Sequence, residues 1–396
     1  MPCFLPPGRR VRPTAGQGGA VRTDPDPLWL VGLAARQGPD RAPARRLLDY
    51  VGAAVASYPV TPLVTLDVKV AGLARTVVLK LEGHSPWGSM KGRTALALLL
   101  SIRGQLPDND ATIVESTSGN LGVALAAICR DLGLGFLAVV DSRLPPAMRQ
   151  GLVRLGARLV EVDAPPEHPA QVLLRIQRVR ELVSAAPETV WTNQYENDAN
   201  RQVHARWTAR ELASQVGPGV EAVFAPVSTG GSFAGVAWYF SEARPDTRVV
   251  AVDVAGSIVF GGIAGPRLLT GIGAARPSNF IRTEPPPEYV MVPDADGIAC
   301  CRTLLADTGL RVGGSSGATL AGCLRYLSER PEIRTVACLC PDLGDNYQQT
   351  IYNERWLAGH SDAVPNAGRR LCVHGESVRF ALSGERVCVA RRGVFR

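Results

Sequence analysis

The chain has 396 residues and a formal net charge of +7, with 46% hydrophobic and 20% charged residues, the balance of an ordinary globular protein. No run approaches the ~18–20 uninterrupted apolar residues of a membrane-spanning helix, which excludes a transmembrane protein. Residues 1–46 carry eight arginines against three aspartates, and residues 365–396 carry seven arginines against two glutamates. The body is left with a formal charge of −3, so no basic groove for nucleic acid is expected in it.

In chain order, residues 1–28 hold ten Gly or Pro and little apolar material, so residues 1–46 are expected to form a disordered basic leader. This stretch has arginines but no apolar signal core, which points to the cytoplasm. Strand-like runs follow at TVVLKLE (76–82), ATIVEST (111–117), GFLAVVD (135–141), RLVEVD (158–163), AVFAPVST (222–229), TRVVAVDV (247–254) and TVACLC (335–340). Between them lie helical patterns at 92–104, 119–133, 146–157, 170 to about 185, and 200–216. Strands rich in Val, Ile and Leu that alternate with amphipathic helices predict an α/β fold, with mostly parallel sheets and helices on both faces. A length of 396 residues suits two lobes sharing a cleft, at ~100–200 residues per domain. Residues 361–396 read as a basic C-terminal tail with a small hairpin around Gly384. The nine cysteines are scattered, and neither they nor the five histidines fall at metal-ligand spacing, so free thiols in a reducing compartment and no metal are expected.

Ligands of open α/β sheets bind where strands end and helices begin. Four such junctions are rich in Gly and small polar residues: GSMKGRTA around Lys91, ESTSGNLG at 115–122, VSTGGSFAG at 227–235 and GGSSGAT at 313–319. In the third, glycine-freed backbone N–H groups at a helix start, with Ser228, Thr229 and Ser232, would cradle a phosphate. Neither GxxxxGK[ST] nor GxGxxG is present, which counts against nucleotides. Lys91 follows the apolar Met90 at a helix start, where the helix dipole disfavours an ammonium and lowers its pKa, as Schiff-base chemistry requires. One such lysine beside one phosphate cradle fits pyridoxal 5′-phosphate.

The order SMK, TSGN, STGGS, GGSSGA resembles the fold-type II pyridoxal-phosphate enzymes, the family of cysteine synthase and cystathionine β-synthase, over roughly residues 50–357. The resemblance implies a large cofactor-binding lobe of residues 47–87 and 195–360, and a smaller mobile lobe of residues 88–194. It implies that Lys91 forms the Schiff base and that Asn120 bonds the cofactor's 3′-oxygen. It also implies that Ser228, Thr229, Gly230, Gly231 and Ser232 hold the phosphate, and that Ser315 faces the ring nitrogen. Thr117, Ser118 and Gln194 correspond to the pocket for the substrate α-carboxylate. A homodimer acting on small amino-acid substrates is expected on the same ground.

The stretches ESTSGNLGVALA, WTNQYENDAN, VDVAGSIVFGG, LTGIGAARPSNF and CPDLGDNYQQTIYNERWL resemble a branch that joins O-phospho-L-serine to the amine of L-glutamate. That branch supplies 2,3-diaminopropionate for siderophores and related natural products. The resemblance therefore implies a transferase making N-(2-amino-2-carboxyethyl)-L-glutamate and phosphate. Cysteine synthase, using O-acetylserine or O-phosphoserine and sulfide, is the alternative, and a non-catalytic cofactor-binding partner protein is a third. Arg143 is placed to meet the leaving phosphate, and Tyr195 to pack beside the cofactor. The segment SPWGSMKGR departs from the family pattern NPxxS-x-KDR: Ser85 stands for Asn and Gly92 for Asp. The segment His84–Trp87 is accordingly expected to border the site and alter the pocket for the nucleophile, together with Gly261–Gly262.

Overall fold

The structure is a computed structural model that describes residue 30 and residues 42–109, 111–163, 171–281 and 287–383. Two sheets organise it. The smaller has the order β5-β4-β3-β6 and is all parallel, with β3 (Thr112–Ser116), β4 (Gly135–Val140), β5 (Arg158–Glu161) and β6 (Thr189–Trp191). Its crossovers are α3 (Asn120–Leu132), α4 (Pro146–Arg154) and α5 (Gln171–Ala185). The larger sheet has seven strands. From one edge they are β13 (Phe380–Leu382), β1 (Leu63–Val70), β2 (Leu73–Leu81), β10 (Thr335–Cys340), β7 (Ala222–Pro226), β8 (Arg248–Val254) and β9 (Tyr289–Val292). The central strands β10 and β7 are apolar along nearly their whole length because helices cover both faces.

The sheet is not parallel throughout. The strands β1 and β2 form an antiparallel hairpin turned at Ala71–Gly72, both with positive φ, the backbone a two-residue turn of matching twist requires. The tail strand β13 pairs with β1 and covers an edge that would otherwise be open. The C-terminal segment is thus partly built into the large lobe, with Val364, Leu371, Val378 and Phe380 in its core. It holds a small hairpin, β11 (Cys372–Val373) with β12 (Glu376–Ser377), turning at His374–Gly375; the hairpin expected around Gly384 lies outside the described residues.

The expected leader also falls mostly outside the described residues, but its last five residues open α1 (Ala42–Ala56). Leu47, Val51 and Val55 of that helix pack with α2 (Lys91–Ile102) and α3, so residues 47–56 join the smaller lobe's core and not the larger's. α2 is buried nearly all round, which explains its run of Ala and Leu. No described helix is long and apolar enough to cross a membrane.

The start of α2 is anchored by a buried ionic network. The Arg93 guanidinium donates to Glu82 (3.1 and 3.2 Å) and to both oxygens of Glu211 (2.9 Å each), and it packs against the edge-to-face pair of Tyr58 and Trp207. Lys80 Nζ reaches Glu211 at 2.5 Å. Burial pushes the Glu211 carboxyl up, but Arg93 and Lys80 outweigh it and hold it at about 2. Fixed charge pairs of this kind hold a geometry more than they add net stability. Beneath the same helix, neutral His204 links Thr94 and Thr208, at 3.0 Å each, within a π-helical turn (His204–Ala209) between α6 (Ala199–Val203) and α7 (Arg210–Val216).

Candidate active site

Three strand ends converge between the lobes, as the position of ligands in such sheets requires. The amine-bearing element is α2. Its approach is fixed by Met90 N–H donating to Pro341 O (2.9 Å) and by a bridge between Ser89 and Asp342 at the end of β10. Gly92 lies against Trp87: a Cβ there would stand 2.4 Å from the indole Cε3. An aspartate, the family's usual residue at this position, has no room here. Burial of the Lys91 amine lowers its pKa to about 8, the Glu115 carboxylate offsetting only part of that cost.

The second junction runs from β7 into α8 (Gly231–Ala243). Gly230 has φ +93, and any Cβ on it would sit 2.1 Å from Ser278 Oγ, which itself donates to Thr229 O. Gly231 is pressed on the Asn200 amide, which donates to Thr229 Oγ1 (3.2 Å) and Gln194 O (2.7 Å). The glycines thus let the chain turn tightly, leaving Ser228, Thr229 and Ser232 around the unpaired N–H groups of the first turn of α8.

The third junction is the end of β3. Thr117 Oγ1 accepts from the backbone N–H of Gly119 and Gly122, shaping the entry to α3. Buried Glu115 collects Ser116 N–H, Trp191 Nε1, Thr192 Oγ1 and Gln194 N–H, and so ties β3 to the segment carrying Gln194 and Tyr195. Gln194 Nε2 donates to Ser116 O (2.8 Å), and the Tyr195 hydroxyl meets Ser116 Oγ at 3.2 Å. Asn120 Nδ2 donates to Asp342 Oδ2 (2.7 Å), which also accepts from the Tyr347 hydroxyl (2.7 Å). Oδ1 of Asp342 is buried without a hydrogen-bond partner among the described residues, and burial raises this carboxyl to about 6 in spite of those two hydrogen bonds. Asp342 O also accepts Gly313 N–H, at the start of α10 (Gly314–Ser328), which carries the buried Ser315.

One cavity of about 140 Å³ is bordered by Lys91, Thr117, Ser118, Asn120, Arg143, Gln194, Tyr195, Ser228, Thr229, Ser232 and Ser315. Gly230 and Gly231 stand behind it as the cap and first residue of α8. Four further residues on the wall carry no local signature: Asp342's partner Tyr347, together with Asp141, Arg175 and Arg267. Ser85, Trp87, Gly261 and Gly262 are not on the wall; Trp87 packs instead against Tyr58 and Gly92, which corrects the expectation that His84–Trp87 borders the pocket.

Residues 56–342 match the family described as pyridoxal-phosphate dependent enzyme. The chain belongs to that family. It is 36% identical over 318 residues to the N-(2-amino-2-carboxyethyl)-L-glutamate synthase of Ralstonia nicotianae, covering 80% of this chain and 91% of the relative. Among solved structures it is similar to the O-acetylserine-dependent cystathionine β-synthase of Helicobacter pylori, with TM-score 0.67, 28% identity, and 74% of this chain against 96% of that one. A hydrogen sulfide-producing enzyme of Fusobacterium nucleatum aligns with TM-score 0.67 and 26% identity, over 72% of this chain and 96% of that one. The protein is a pyridoxal-phosphate-dependent synthase of the cysteine synthase type, with the two-lobed fold-type II architecture.

The residues present fit this cofactor. A buried amine with a pKa of about 8 suits Schiff-base formation with an aldehyde. The tight turn at Gly230–Gly231, with three hydroxyls and a free helix start, suits a phosphate. Both face one cavity.

Proposed function

We propose that this enzyme condenses O-phospho-L-serine with L-glutamate to give N-(2-amino-2-carboxyethyl)-L-glutamate and phosphate, a supply of 2,3-diaminopropionate for a natural product. The observation that carries this reading is the pair Arg143 and Arg267 on the wall of the Lys91 cavity, beside the Arg175–Asp141 ion pair, in a space suited to anionic amino acids. The name of the Ralstonia relative, aligned over nearly its full length, points the same way.

In this reading Lys91 holds the cofactor, the Ser228–Ser232 loop binds its phosphate, and Asn120 and Ser315 meet the ring's oxygen and nitrogen. Bound pyridoxal phosphate supplies an electron sink for the substrate α-carbon. A serine hydroxyl at the ring nitrogen does not hold a proton there, so that sink is weak and favours replacement over long-lived carbanions. Thr117, Ser118 and Gln194 orient the α-carboxylate of phosphoserine, and Tyr195 closes the wall beside them. Lys91, released as a neutral amine, takes the α-proton. The Cβ–O bond breaks, and Arg143 meets the departing phosphate. The glutamate amine, its ammonium proton passing to the departing phosphate, then forms the new Cβ–N bond, and Lys91 returns the α-proton to Cα.

The test is product mass and phosphate release from the purified holoenzyme given O-phospho-L-serine with L-glutamate, other amines, or sulfide. The expected outcome is a glutamate adduct and stoichiometric phosphate, abolished in Lys91→Ala. Turnover only with O-acetylserine and sulfide would make the enzyme a cysteine synthase instead.

A further inference from the structure

A second cavity, of about 550 Å³, adjoins the first and shares Arg143, Arg267, Leu269, Thr270 and Tyr347 with it. The neck between the two chambers is made by two loops that touch: Arg143 Nη2 donates to Arg267 O at 3.3 Å. Two arginines thus line one passage, each with carboxylates close by. Asp141 is paired with Arg175 at 2.9 Å. Asp294 Oδ2 accepts the backbone N–H groups of Leu268 and Leu269, and Asp253 Oδ1 accepts Val254 N–H, while the other oxygen of each is buried near Arg267 without a hydrogen-bond partner among the described residues. Nε and Nη1 of Arg267 are buried without a partner among the described residues. A guanidinium that lines both chambers is suited to pair with a carboxylate or a phosphate. Beyond the neck the outer chamber turns apolar at Ile351 and at the stacked Trp356–His360 pair, which suits an aliphatic body.

Leaving group and nucleophile both attach to the same Cβ, so they must use the same side of the cavity in turn. We propose that Arg143 and Arg267 form a single anion site at the neck that receives a carboxylate of an incoming dicarboxylic amino acid, Arg267 setting the preference for an acidic nucleophile. The role as nucleophile site rests on the substrate reading above; the affinity for a dicarboxylate does not.

Glutarate is the probe, titrated calorimetrically into the holoenzyme and its Arg267→Gln and Arg267→Lys variants. Loss of a charge-assisted contact predicts affinity reduced on the order of 10- to 100-fold in Arg267→Gln and less in Arg267→Lys. The KM for glutamate rises in parallel, and the preference for glutamate over glutamine collapses. Glutarate that does not bind the wild type, or binds Arg267→Gln equally well, overturns the site. A wild type that turns over only O-acetylserine and sulfide, while glutarate binding still depends on Arg267, overturns the substrate reading and leaves the anion site standing.

Discussion

Asp342 carries an ionisable carboxyl where burial costs most, and its replacement by Asn is a direct measure of that cost. Ordinary aspartate titrates at 3.8, whereas burial lifts Asp342 to about 6 even with Asn120 and Tyr347 donating to it. A folded-state pKa above the unfolded one means that the stabilising form is the protonated acid. The benefit is complete below the unfolded value and is lost as pH rises through about 6. Asn mimics the neutral acid in shape and keeps one acceptor oxygen. With ~2 units of displacement at ~1.4 kcal/mol each, Asp342→Asn is expected to stabilise the apoprotein by ~3 kcal/mol at pH 8, about half that at pH 5, and almost nothing at pH 4. At about 2 °C per kcal/mol for a large domain, the melting temperature rises by roughly 6 °C at pH 8. Differential scanning calorimetry of both apoproteins across this pH range checks it. A variant no more stable than wild type at pH 8, or one whose advantage is independent of pH, refutes the argument.

Loading of the apoprotein with pyridoxal phosphate, followed by visible absorbance, should quicken as pH rises, with a midpoint near 8, because only the neutral Lys91 amine attacks an aldehyde. Gly92→Ala should destabilise the protein by ~1–3 kcal/mol through overpacking against Trp87, and Trp87→Ala in the same chain should recover part of that loss; strictly additive effects in a double-mutant cycle would contradict the contact. Glu211→Gln should cost ~3–5 kcal/mol in urea unfolding, since Arg93 and Lys80 stay buried with their shared carboxylate gone. Because the Glu211 pKa is depressed to about 2, its contribution in the wild type is whole above pH 4.5 and fades as pH falls toward 2.

The parallel strands and their helices were legible because both faces of each strand are buried, which writes continuous apolar runs such as AVFAP and TVACLC. The edge strands of the larger sheet were not. β9 (YVMV) is half-exposed and four residues long, and β13 pairs across more than three hundred residues with β1, so neither writes a period into the sequence. The same split runs through the site. Lys91, Asn120, Ser228 and Ser315 sit at strand-to-helix junctions whose glycines and hydroxyls advertise themselves locally. Asp342 reaches Asn120 across 222 positions, and its only local sign is its place just past the end of a central strand, where ligands bind. Arg267 lies in an aperiodic loop and becomes visible only when that loop folds against Arg143. Glu115, inside a strand otherwise read as apolar, organises Gln194 and Tyr195 through four hydrogen bonds that no spacing rule encodes.

Each of the two departures from the family pattern around the lysine has a local physical cause. Trp87 occupies the volume that a side chain at 92 would need, and the Ser85 hydroxyl is spent on Ser89 O at 2.6 Å. Neither Ser85 nor Trp87 borders the cavity, so this segment sets how α2 is seated and not what is bound. The choice of nucleophile must then be written elsewhere on the wall. The described residues that combine charge, open hydrogen-bonding capacity and a place between the two chambers belong to the 141–146 and 265–270 loops. Those loops belong to opposite lobes, the first following β4 of the small sheet and the second following β8 of the large one. The Arg143–Arg267 contact therefore joins the two lobes directly at the place where the two chambers meet.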